Sequence, residues 1–100
     1  MAKRTKRLSP WAWHPLRKQV YERDEGICQY PYGKHEVGYE EFHCDHIVPL
    51  SRGGNNKIDN LRVLCAMHHV LREDAHQQMI AWALKNEIIP PDWRSLVWNG

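Results

Sequence analysis

An odd number of cysteines, three, shares this chain of 100 residues with seven histidines, and that pairing most restricts what the chain can fold into. Three thiols cannot complete a disulfide framework, and a domain this short buries a modest core, so a metal gripped by Cys and His is the expected staple. Candidate ligands stand where a staple is wanted. Cys65 and His68 form a tight pair two residues apart, and Cys28 lies in the segment 27–41, which Pro31, Gly33 and Gly38 mark as irregular.

The pattern along the chain predicts an α+β fold. Residues 1–9 are polar, basic and without periodicity, and read as a disordered arm ahead of a single domain over 10–100. Trp11, Trp13 and Pro15 lead into a short helix over about 15–24, ended by Gly26, and the two indoles are expected to bury against the sheet. Phe42–Pro49 has the composition of a strand, 51–60 is dense in turn formers, and Leu61–Leu64 is a second strand returning beside the first. From Ala66 the spacing becomes helical, with Leu71, Ala75, Met79 and Ala83 four apart, and Pro90-Pro91 stop it. A two-stranded hairpin is not stable alone, so that helix must cover its apolar face. The tail Asp92–Trp98 is too apolar to stay solvated and is expected to pack back on the body.

The net charge of +2 hides an asymmetry: residues 1–23 hold seven Lys or Arg against one acid, and the rest holds seven against eleven. A basic arm on a mildly acidic body suits a polyanionic partner. No apolar run reaches signal-peptide or membrane-span length, which makes a cytoplasmic protein without a membrane partner the expectation.

Asp45 and His46 stand side by side at the end of the predicted strand, and His69 begins the predicted helix. A carboxylate and an imidazole are hard-oxygen and nitrogen ligands for a divalent cation, and a second imidazole titrating near neutrality can take a proton from water. Phosphodiester hydrolysis needs both groups. DHIVPLSRGG followed by DNLRVLCAMHH, with His46 and Asn60 fourteen positions apart and Asn60 and His69 nine, resembles the HNH endonuclease family over Gly26 to Arg72, including its phage and bacterial members.

That resemblance implies a ββα-metal domain: a two-stranded hairpin packed on a helix, here with an added N-terminal helix and a zinc knuckle, and with residues 73–100 as a C-terminal helix and tail. It implies hydrolysis of DNA leaving 5′-phosphate ends, with His46 as general base and Asn60 holding the loop that orients it. Asp45 and His69 would be ligands of the catalytic cation, which could be Mg, Mn, Ni or Zn. Glu73 stands where some relatives carry a further ligand; an exposed helix acid is the alternative. Relatives often hold a structural zinc with two Cys-x-x-Cys pairs, whereas here Pro31 stands where the second cysteine of the first pair would be. Cys28, Cys65 and His68 are then three zinc ligands, and His35, Cys44 or His43 the fourth, His35 first. His43 is otherwise expected to face solvent or DNA. Arg52, Arg72 and the arm residues Lys3, Arg4, Lys6 and Arg7 are candidate nucleic-acid contacts. The family suggests a bacterial or phage-infected host cell, and phage genome processing or packaging proteins as partners. The rival reading is a non-catalytic zinc-containing module that binds DNA or a larger nuclease.

Overall fold

The computed structural model describes residues 7–100. Its order is α1 (Pro10–Arg23), β1 (Ile27–Cys28), β2 (His35–Glu36), β3 (His43–His46), β4 (Leu61–Leu64), α2 (Ala66–Val70) and α3 (Gln77–Lys85), with short 3-10 turns at Leu50–Arg52, Ile58–Asn60 and Trp93–Leu96. The α+β class and the hairpin-plus-helix arrangement expected from the sequence are both present. Among the described residues, no helix is long and apolar enough to cross a membrane. Lys3, Arg4 and Lys6 of the basic arm lie outside the described residues.

Helix α1 starts five residues earlier than the sequence pattern suggests. Pro10 fits the first turn, where a missing N–H costs nothing, and the Ser9 carbonyl accepts from Ala12 and Trp13 N–H. The chain leaves the helix through positive φ at Glu25 and Gly26. Only glycine suits position 26, because a Cβ there would lie 2.6 Å from the Tyr21 hydroxyl.

Strands β3 and β4 pair antiparallel with Asp45 opposite Arg62 and His46 opposite Leu61. The loop between them closes on itself at Gly54, whose N–H donates to Pro49 O and whose absent Cβ would sit 1.8 Å from Val48 O. Two cores flank this hairpin. Val20 of α1 packs with Phe42, Leu61 and Val63 on one side, and Cys28, Leu64, Val70, Leu71, Ala83, Ile89 and Trp98 cluster on the other. Burying each aliphatic side chain contributes about 1.5–3 kcal/mol, enough to stabilise a hairpin that would not persist alone.

Three expectations need correcting. The segment 27–41 is not wholly irregular, since β1 and β2 form a second hairpin with Cys28 opposite His35. The first strand is limited to His43–His46. The helix predicted from Ala66 is two helices, broken at 71–76, where Arg72 bridges to Trp98 and the His76 ring caps α3 by accepting from Gln78 N–H. Leu71 N–H still donates to Met67 O, but Trp98 N–H donates to Leu71 O and Glu73 N–H to Trp98 O, so the backbone of the break is satisfied by the tail. The tail therefore packs back as expected, and Trp98 is 5% exposed.

Candidate active site and metal centre

Two groups of chemistry-bearing side chains converge where β3, β4 and α2 meet. The first centres on Asp45, which is 3% exposed. Its Oδ2 accepts from Arg62 Nε at 2.8 Å and Arg72 Nη1 at 3.0 Å, and its Oδ1 accepts from Arg72 Nη1 at 3.0 Å. The same oxygen, Oδ1, lies 3.5 Å from His69 Nε2. Burying a carboxylate is costly unless it is paired, and two guanidiniums pair this one. Arg72 also donates to His46 O at 2.6 Å and to Ile47 O, and pairs with Asp74 at 3.1 Å. Arg72, expected at the phosphate backbone, is thus turned inward.

His69 presents Nδ1 to His43 Nδ1 at 2.8 Å. Burial lowers the pKa of His69, with the Arg72 and His46 charges adding to it and Asp45 opposing. Burial, then His69 and Arg17, lowers that of His43 to about 4. Both imidazoles are therefore neutral near pH 7, and a neutral ring is the form that can ligate a metal. His43 does not face solvent as the sequence suggested. It shares a face of β3 with Asp45, two residues on, and packs against His69 and Trp82.

His46 is held from two sides. Its Nε2 donates to Asn56 Oδ1 at 2.9 Å, and its ring stacks on Trp13 with centroids 5.7 Å apart and planes 10° apart. The other nitrogen, Nδ1, then carries the lone pair. Asn60, 9% exposed, accepts from Val48 N–H at 2.9 Å and donates to Val48 O at 3.1 Å and Asn55 O at 2.8 Å. It stitches the loop shut, and the loop carries Asn56 to the imidazole. A cleft of about 430 Å³ opens over this group, lined by Asp45, His46, His69 and His76 with exposed Arg7 and Arg52 at its edge. Glu73 sits in the break after α2, exposed, away from the helical face on which the sequence placed it. Trp11 is 90% exposed rather than buried.

The second group is Cys28, His35, Cys65 and His68, whose ligand atoms all lie within 4.8 Å of one another. The β1–β2 hairpin sets Cys28 opposite His35, and Cys65 caps α2 by accepting from His68 N–H at 3.3 Å. His68 Nδ1 is 3.6 Å from Cys28 Sγ and 3.3 Å from Cys65 Sγ, and its ring stacks on Tyr30 at 3.7 Å. The Cys65 thiol beside the Cys28 sulfur draws the Cys28 pKa down, and the same contact pushes that of Cys65 up. Two sulfurs and two imidazoles suit tetrahedral zinc, whose bonds of about 2.3 and 2.0 Å give sulfur–nitrogen edges of roughly 3.5 Å, so the donor set fits. Cys44 stays outside it, packed in the α1 core with its pKa pushed up to about 12 by burial.

The sequence reading missed Asn56, Trp13, Arg62 and His43 as neighbours of this site. Strand alternation alone could have placed His43 beside Asp45. Nothing local marks Asn56 among the turn formers, nor Trp13 across the fold. Residues 27–74 match the family model described as HNH endonuclease. No curated protein and no solved structure matches the chain.

Proposed function

We propose that the chain, whose residues 27–74 match the HNH endonuclease family model and which gathers a Cys/His group that can hold a metal, hydrolyses DNA phosphodiester bonds with His46 as general base. The observation carrying this reading is the tautomer set at His46, whose Nε2 donates to Asn56 and so leaves Nδ1 to accept a proton. Asp45 Oδ1 and His69 Nε2, 3.5 Å apart, are the atoms that would hold a divalent cation. When bound, that cation supplies Lewis acidity, neutralising charge on the phosphoryl oxygens and on the departing oxygen.

The chain's own residues do the rest. His46 Nδ1 takes the proton of the attacking water, a step worth roughly 10²–10⁴-fold when the base is well placed. Trp13 and Asn56 keep the ring from turning away, and Asn60 keeps the loop closed behind it. Arg7 and Arg52 supply positive charge at the cleft edge for phosphates, a contribution that falls as salt rises. Cys28, His35, Cys65 and His68 hold a structural zinc beneath the site. Arg72 fixes Asp45 and the backbone at residues 46 and 47 rather than touching DNA. A role in phage genome processing or packaging follows from the family resemblance.

One observation favours the rival, a non-catalytic DNA- or nuclease-binding module: both oxygens of Asp45 already accept from Arg72, so a cation must share that carboxylate with a guanidinium. A plasmid-nicking assay with Mg²⁺, Mn²⁺ or Ni²⁺ decides between the two. Cleavage that needs cation and is lost in His46→Ala supports the nuclease. DNA retention without cleavage in any cation, unaffected by His46→Ala, supports the binding module.

A further inference from the structure

The His43–His69 contact carries chemistry that the proposed reaction does not yet use. Two nitrogens of the same kind, Nδ1 and Nδ1, meet at 2.8 Å, and a hydrogen bond between them contains one proton. The owner of that proton decides what His69 can do. If His43 owns it, the neutral His69 ring must carry its hydrogen on Nε2, the atom 3.5 Å from Asp45 Oδ1, and that nitrogen has no lone pair for a cation. If His69 owns it, Nε2 is a lone pair facing the same space as the carboxylate. At 3.5 Å the contact is longer than the 2.7–3.2 Å of a good N–H···O bond, so no short hydrogen bond to Asp45 holds the hydrogen on Nε2.

The position of His43 is itself fixed. It sits opposite Leu64 in the hairpin register, its ring lies edge-on to His69 at 5.0 Å between centroids, and Trp82 of α3 covers it at 5.9 Å. A side chain locked by packing presents its acceptor in one direction, and such an outer partner orients a ligating histidine and raises its basicity.

We infer that His43 is a positioning residue that accepts the Nδ1 proton of His69, fixing the tautomer in which His69 Nε2 can bind a divalent cation. This rests on the reading of Asp45 and His69 as cation ligands, and the experiment separates the two claims. Mn²⁺ is titrated calorimetrically into the full chain and its variants, with imidazole ¹⁵N shifts recorded before the metal is added. The wild-type protein shows His69 as the Nδ1–H tautomer. His43→Leu weakens Mn²⁺ binding about 10–100-fold, the usual cost of losing such a partner, and moves His69 toward the Nε2–H form. His43→Asn, whose amide oxygen can accept in place of Nδ1, restores most of the affinity. His43→Leu binding Mn²⁺ as the wild type does, while His69→Ala loses it, overturns the inference and leaves the ligand reading standing. His69→Ala that binds as well as wild type removes the ligand reading and the inference with it. Should His43→Leu fail to fold, the wild-type spectrum still decides: an Nε2–H tautomer at His69 is incompatible with the role given to His43.

Discussion

His68 and His69 are neighbours in α2, yet they join different groups of side chains. Successive helix residues point about 100° apart, so one ring turns toward Cys28 and Cys65 while the next turns toward Asp45. The Cys/His group is a closed set: four soft and borderline donors lie within 4.8 Å of one another, with Cys28 fully buried and His35 exposed at the edge. The Asp45 group opens on a cleft, which its carboxylate and the His69 and His46 imidazoles line together. Closed sets stabilise folds and open ones leave room for chemistry. The contrast teaches that one five-residue helix can divide these tasks because its residues diverge.

The contrast can be broken most forcefully by removing metal. If the closed group is structural, a strong chelator should unfold the protein, since structural zinc is worth about 10–16 kcal/mol of apparent binding energy. Circular dichroism with zinc analysis reads this directly. A chain that melts normally in chelator and carries no stoichiometric zinc would erase the distinction.

Next in size is Arg72→Met. Asp45 is 3% exposed and would keep only Arg62 as a cationic partner, so urea unfolding should show a loss of about 3–5 kcal/mol. A loss below ~1 kcal/mol would mean that Arg72 is not what keeps that carboxylate buried.

The open group is probed more narrowly by His46→Ala, which should reduce cleavage roughly 10²–10⁴-fold while zinc content stays that of the wild type. Loss of both together would show that the two centres are not separable.

The smallest effect is in acid. His43 and His69 are kept neutral in the folded protein by burial, whereas in the unfolded chain they protonate near the ordinary value of about 6.5. Protonation therefore favours the unfolded state. The stability linked to His43 is fully present above pH ~6.5, declines as pH falls, and is gone below about 4. Without added divalent cation, the melting temperature of wild type should fall more steeply over that window than that of His43→Asn. Parallel curves would assign the acid lability elsewhere.

Sequence spacing made the core of both centres legible. Asp45, His46, Asn60 and His69 were placed by motif distances, and Cys28, His35, Cys65 and His68 by donor chemistry plus one guess about a loop folding back. What escaped has physical causes. The i, i+4 series through Leu71, Ala75, Met79 and Ala83 looks continuous, but periodicity cannot register a break whose backbone is satisfied by Trp98, a partner far along the chain. Arg72 looked like a surface base because charge alone does not reveal a buried carboxylate waiting across the fold. His46 gains its stacking partner from α1 and its hydrogen-bond partner from a turn-rich loop, contacts that only the tertiary fold creates.

Trp98 has a reach that its place near the C-terminal end of the sequence would not suggest. Its indole N–H donates to His68 O at 2.6 Å, its backbone grips residues 71 and 73, and its ring lies 5.3 Å from the Arg62 guanidinium that restrains Asp45. One side chain thus acts as a clasp between the Cys/His group and the Asp45 group. Removing that one indole would loosen the backbone beneath His68 and the guanidinium beside Asp45 together, so a substitution far from either group in sequence reaches both.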